Sequence, residues 1–203
     1  LSAKVTVKAV EAPKPSPTSA PAATGNTSPE KTAQSMPQEA SDTVNGSKIV
    51  AYYAAWSRYS NFTPDKIDAN KINYINYAFA NIGNALTIEL GYPDIDEANI
   101  RQLNQLKNIN PKLKTIIAVG GWSWSGRFSD VALTQKSREK FADSVVDFLV
   151  KYNFDGVDID WEYPVSGGES TNSHRPEDKT NFTLLMKTLR EKLDEQGASD
   201  GKK

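Results

Sequence analysis

Four acidic residues fall within one short stretch, Asp155-Gly-Val-Asp158-Ile-Asp160-Trp-Glu162. In a strand, residues two apart share a face. Asp158, Asp160 and Glu162 therefore point one way, and Val157, Ile159 and Trp161 the other. Pro164 has no donor for a ladder, so the strand is expected to stop near it, leaving Glu162 at the C-terminal end. Three carboxylates in a row on a buried face cannot all ionise at close range. At least one proton is then shared, and the pKa values are coupled. A solvated acidic face is the bland reading, and it fails because the intervening residues are Val, Ile and Trp. A divalent cation is a better rival, since carboxylates suit Mg²⁺ or Ca²⁺. Side chains on one straight strand splay along a line instead of wrapping an ion, however, and the EF-hand order is missing. General acid/base catalysis is the favoured chemistry, with no metal.

The elements that must position this ladder can be read from apolar periodicity. Residues 49–56, 72–80, 113–119 and 154–161 are short, strongly apolar runs, as expected of strands buried on both faces. Between them lie amphipathic stripes. Ile100, Leu103, Leu106 and Ile109 form one, with Asp96 available as its cap. Phe141, Val145, Phe148, Leu149 and Tyr152 form another after Thr134. Phe182, Leu185, Met186, Leu189 and Leu193 form a last one, expected to stop at Gly197. The alternation predicts an α/β fold with a parallel sheet, doubly wound or closed as a (β/α)8 TIM barrel. No Gly-x-Gly-x-x-Gly follows the first strand, which weighs against dinucleotide binding. A full barrel takes about 250 residues. Residues 48–203 would supply about the first four βα units, roughly half of one.

Upstream the composition changes. Every Trp, Tyr and Phe lies at or after Tyr52, while six of the 11 prolines fall between Ala12 and Ser47. Residues 12–47, mostly Ala, Pro, Ser, Thr, Gln and Glu, cannot bury enough apolar surface to offset chain entropy and read as a semi-extended linker. Residues 1–11 alternate polar and apolar like a strand, expected to be the end of a truncated upstream β domain. Both ends of the chain look cut. The 203 residues carry a formal net charge of −1 and a pI near 6.0, which weighs against a nucleic-acid partner. No apolar run is long enough to span a membrane. There is no Cys, excluding disulfides, thiol catalysis and cysteine-bound zinc.

At these residues the sequence resembles the catalytic domain of glycoside hydrolase family 18, specifically bacterial chitinases. Asp155, Asp158, Asp160 and Glu162 meet the signature Asp-x-x-Asp-x-Asp-x-Glu in full. Residues 113–122, ending Gly120-Gly121-Trp122, resemble the family's third-strand motif, as do Tyr52-Tyr53 on strand one and Tyr77-Ala-Phe79 on strand two. The third-strand motif is often Ser-x-Gly-Gly, and here Ala118 stands in the Ser position, which would leave Asp158 one hydrogen bond short.

The resemblance implies retaining, substrate-assisted hydrolysis of β-1,4-linked N-acetylglucosamine polymers. Glu162 would protonate the glycosidic oxygen, Asp160 would orient the acetamido group, and Asp158 would share a proton with Asp160. Tyr52, Phe79, Gly120, Gly121, Trp122, Ser123 and Tyr163 match substrate-binding positions. An indole face stacked on a sugar contributes about 1 kcal/mol. Trp124 is open between sugar stacking and plain packing, Trp161 reads as core, and His174 as a solvated loop residue. The resemblance implies an endo-acting, secreted, monomeric enzyme whose partner is chitin or chitooligosaccharides and which needs no cofactor. Two rivals stand beside it: an endo-β-N-acetylglucosaminidase on N-glycan cores, and an inactive chitin-binding fragment. Half a barrel with two open sheet edges is not expected to be active by itself.

Overall fold

The structure is a computed structural model that describes residues 47–201. The strand and linker expected over residues 1–11 and 12–47 lie, except for Ser47, outside them. In chain order the regular elements are β1 (Val50–Ala54), β2 (Tyr74–Ile82), β3 (Ile88–Leu90), α1 (Asp96–Ile109), β4 (Lys114–Gly120), α2 (Gly121–Trp124), α3 (Phe128–Leu133), α4 (Gln135–Tyr152), β5 (Gly156–Asp160) and α5 (Asp178–Asp200). β1, β2, β4 and β5 pair in that order, all parallel, and β3 folds back antiparallel on the end of β2. A parallel α/β sheet is thus present. The β2–β3 hairpin was not foreseen, because three residues are too short a run to show periodicity.

Two further expectations need correcting. The β1-to-β2 crossover holds no helix stripe; it runs through 3₁₀ turns at Ala55–Ser60, Pro64–Lys66 and Ala69–Lys71. Asn61, at φ 58°, and Pro64 break any longer helix there. Nor is β1 buried on both faces, for Val50 is 56% and Tyr52 57% exposed, while Tyr53 and Ala55 enter the core. Among the described residues β1 has one neighbour, β2, and its exposure alternates along the strand.

The core lies between the central strands and the helices. Ile75, Tyr77 and Ile82 of β2 and Ile117 and Val119 of β4 are buried in one cluster with Leu103 and Leu106 of α1 and Phe141 and Val145 of α4. The stripes predicted on the helices are the faces that pack, except for Ile109 at the end of α1 and Met186 on α5, which are exposed.

Helix ends show where local signals succeed and fail. Thr134 caps α4 through a reciprocal box with Ser137, as its residue type suggests. Asp96 does not cap α1. It is the first helical residue, 1% exposed, and accepts hydrogen bonds from the Tyr77 hydroxyl at 2.5 Å and the Tyr92 amide at 2.7 Å. Burial pushes its carboxyl above the ordinary value. Gly197 does not stop α5, which continues to Asp200 and ends at Gly201 in the left-handed conformation, φ 71°. One interior glycine costs a helix only about 1 kcal/mol.

Candidate active site

The strands bring the ladder to their C-terminal ends. β5 stops at Asp160, paired with Gly120, and Asp158 pairs with Ala118. Trp161 turns the other way and is buried between the stacked ring of Phe128, at 5.5 Å, and the edge-on ring of Phe182, at 5.7 Å. Alternation therefore separates acid from core as the spacing predicts. The three carboxylate residues are half-buried, not fully buried as expected. The acidic face of β5 is the less covered one, because the described helices pack on the Trp161 side.

Asp158 is held from two strands. The Tyr52 hydroxyl donates to its Oδ2 at 2.5 Å, and the Asn76 side-chain amide donates to the same oxygen at 2.9 Å. Tyr52 and Asn76 are themselves register partners in β1 and β2. Loss of water around the phenol, then its bond to Asp158, pushes the Tyr52 pKa up to about 12. Ala118 is fully buried beside Asp158 and offers no side-chain donor, while Asp158 accepts from Tyr52 and Asn76. Asn76 escaped the sequence reading, since one Asn in an apolar run carries no local signal. Asp160 lies between two like charges. Its carboxyl is raised by desolvation first, and then by Glu162 and Asp158.

Glu162 stands beyond the strand. Its amide donates to Ser125 Oγ at 2.8 Å, and its carbonyl accepts from the Asn172 side chain at 3.0 Å. Neither Ser125 nor Asn172 was singled out by sequence, because their partners lie 37 and 10 residues away. The loop after Glu162 is fastened by Asp178, which is fully buried. It accepts from Ser129 at 2.7 Å, from the Arg175 amide at 2.8 Å and from the Val165 amide at 3.3 Å.

The other predicted residues surround this mouth. Gly120 has φ 102°, and a Cβ there would lie 2.5 Å from the Asp160 carbonyl oxygen. A Cβ on Gly121 would lie 2.8 Å from the Phe79 ring. Both glycines are thus required by close approach. Phe79 is half-buried and stacks on Trp56, ring centres 6.3 Å apart. The Ala78–Phe79 and Glu162–Tyr163 peptide bonds are cis. Trp122 (52%) and Tyr163 (48%) present exposed rings, and the neighbouring Glu162 charge raises the Tyr163 phenol. Ser123 is exposed and lines a recess of about 410 Å³ with Asn81, Arg127 and Asn172. Trp124 is half-buried, packs against Tyr92 at 5.1 Å and also lines this recess. His174 is exposed. A larger recess of about 700 Å³ lies at the opposite end of β5, lined by Tyr74, Lys114, Asp155, Arg190 and Leu193. It includes none of the three ladder carboxylates. Among the described residues no group of three or more His, Asp or Glu is arranged to hold a metal ion.

A parallel α/β sheet with an acidic row at its C-terminal ends places these groups where α/β barrel enzymes carry their catalytic residues, and comparison makes this specific. Residues 48–203 match the glycosyl hydrolases family 18, and the chain belongs to that family. It is 51% identical to chitinase A1 of Niallia circulans over 77% of this chain and 29% of that protein. Chitinase ChiA74 from Bacillus thuringiensis superposes with a TM-score of 0.73 at 38% identity, covering 76% of this chain and 34% of that one. A catalytic domain of Ostrinia furnacalis group II chitinase, in complex with an (NAG)5 oligosaccharide, superposes with a TM-score of 0.67 at 31% identity over 74% and 41% of the two chains. The chain therefore spans about a third of the length of the relatives it matches. No described helix is long and apolar enough to cross a membrane.

Proposed function

We propose that the whole protein is a chitinase that hydrolyses β-1,4 links between N-acetylglucosamine units with retention, and that the described strands are part of a (β/α)8 barrel. The observation that carries this reading is the ladder itself. Three carboxylate residues sit at the strand ends, the central one raised by desolvation and then by its two neighbours, and the first clamped by Tyr52 and Asn76. The chitinases matched above favour chitin over N-glycan cores as the substrate. A polymer of that size cannot enter a cell, so the enzyme acts outside it.

Glu162, at the mouth, donates its proton to the glycosidic oxygen. The acetamido carbonyl oxygen of the sugar on the non-reducing side attacks C1 as the C1–O bond breaks, giving an oxazolinium ion. Asp160 orients the acetamido group and balances the positive charge developing there. Desolvation, and then the charges of Glu162 and Asp158, raise it, so it can share a proton with Asp158 and turn toward Glu162, where its carboxylate oxygen accepts from the acetamido N–H. Glu162, now ionised, takes a proton from water as the water adds to C1 and the ring C1–O bond of the oxazolinium breaks, which restores the acetamido group and the acid. The Trp122 and Tyr163 rings, Phe79, Ser123 and the Gly120–Gly121 backbone would contact the sugars, with Tyr52 beneath them. The nucleophile comes with the substrate, so the chemistry calls for no cofactor. β1 and β5 each keep an edge unpaired among the described residues, so turnover is expected of the whole protein and not of residues 1–203 alone.

Glu162→Gln in the whole protein tests the reading. Turnover of a chitin oligosaccharide is expected to fall by about 10³-fold while the oligosaccharide still binds. Turnover within tenfold of the parent would remove Glu162 from its role.

A further inference from the structure

We infer that Ser125 and Asn172 form a clasp that positions the general acid by holding the peptide groups of Glu162, an inference that rests on the reading of Glu162 given above. The last sheet pairing is Gly120 with Asp160. Glu162 lies two residues further on, where no strand neighbour fixes its backbone. A residue just past a strand end is free to fray, yet an acid that serves one oxygen needs a fixed origin. An error of about 1 Å can cost 10²-fold.

Both polar groups of Glu162 are taken by side chains from other segments. Ser125 is fully buried, and its oxygen accepts the Glu162 amide at 2.8 Å. The single Ser125 hydroxyl proton is then directed at the Gly121 carbonyl, 2.8 Å away, or the Asp160 carbonyl, 3.1 Å away. One hydroxyl therefore joins the Gly-rich turn after β4, the end of β5 and the acid. Asn172, 9% exposed, donates to the Glu162 carbonyl at 3.0 Å. Its own place is set by backbone bonds from its amide to Glu169, at 3.0 Å, and from Ser173 to Gly126, at 3.2 Å. The second of these ties the loop back to the segment that carries Ser125. Gly168 completes the fit. At φ 73° it runs so close that a Cβ would lie 2.0 Å from the Glu162 carbonyl oxygen. Ser125 and Asn172 touch backbone and not the carboxyl, so they are positioning residues.

A clasp acting through the acid must matter most when the leaving group needs a proton. The test compares the whole protein and its Ser125→Ala and Asn172→Ala variants on two substrates: a chitin oligosaccharide, whose sugar alkoxide must be protonated, and a dinitrophenyl glycoside of chitobiose, whose phenolate leaves unaided. Each variant is expected to lose about 10- to 100-fold in kcat/KM on the oligosaccharide and less than about threefold in kcat/KM on the aryl glycoside. That ratio reports leaving-group departure and not the later water step in which Glu162 is the base. Equal losses on both substrates, or none on either, would overturn the clasp. Asn172 lies in an irregular loop outside the apolar core cluster, so its variant decides the matter if Ser125→Ala does not fold. Glu162→Gln is run alongside. If it shows the leaving-group dependence and the two variants do not, the clasp fails and the acid stands. If Glu162→Gln lacks the dependence, the reading of Glu162 is what has failed.

Discussion

Asp155 and Asp160 stand at opposite ends of β5, are of the same residue type, and meet opposite surroundings. Asp155 lies just before the strand and pairs with Lys107 at 2.7 Å and Lys114 at 3.5 Å, while the Thr115 amide donates to it at 2.8 Å. Burial favours its neutral form, but these partners outweigh burial and hold the carboxyl below the ordinary range. Asp160 has lost water too, yet its charged neighbours are Asp158 and Glu162, and its carboxyl is raised. The comparison teaches that a carboxylate on this strand is structural or reactive according to the sign of the charges packed beside it. A signature that counts Asp155 with the other three joins two jobs.

The two signs of shift have opposite consequences for folding. Asp155 binds its proton less tightly when folded, so it contributes stability above the unfolded value of about 3.9, lost as pH falls through the lowered folded value. Asp160 binds its proton more tightly when folded. Its ionisation opposes folding, and that opposition is relieved as pH falls from the raised value into the ordinary carboxylate range.

The sharpest way to break the comparison is Asp160→Asn. Turnover of a chitin oligosaccharide by the whole protein is expected to drop by about 10²-fold or more, while the melting temperature at neutral pH rises because the like-charge cluster is thinned. A melting temperature that falls would show that Asp160 is not under the strain described. Asp155→Asn is expected to do the reverse, lowering stability at neutral pH by about 2 kcal/mol with kcat changed less than about twofold. In acid its penalty should shrink, because the parent carboxyl is then protonated as well; denaturant melts at neutral pH and near pH 3 would show whether it does. The smallest effect concerns Asp158. Asn76→Leu is expected to slow turnover about tenfold through the lost hydrogen bond, and Ala118→Ser alone by less than about threefold. Adding Ala118→Ser to Asn76→Leu should restore most of the rate, since a hydroxyl from β4 replaces the amide from β2. Absence of rescue in that double variant would show that Asn76 does more than donate to Asp158.

Much of this was legible beforehand. The strand bearing the ladder, the three long helices and the Thr134 cap follow from periodicity and residue type. The short β3 and the 3₁₀ crossover after β1 do not, because three- to six-residue elements leave no periodic trace. Asn76, Ser125 and Asn172 were missed for a related reason. Each is a single common polar residue, and its meaning lies wholly in a partner elsewhere, Asn76 meeting Asp158 across 82 positions. Trp124 shows the same limit, since its contact with the Tyr92 ring is nothing that local spacing records.

What the sequence by itself determined is the alternation that puts Asp158, Asp160 and Glu162 on one face and Trp161 on the other, because two-residue spacing is a local property of an extended chain. What only the tertiary structure decided is how each carboxylate is held and charged. Lys107 reaches Asp155 from α1, Asn76 reaches Asp158 from β2, and Ser125 and Asn172 close on the backbone of Glu162. Charge and hydrogen bonding act over a few ångströms of space, and those neighbours are set by folding and not by order along the chain.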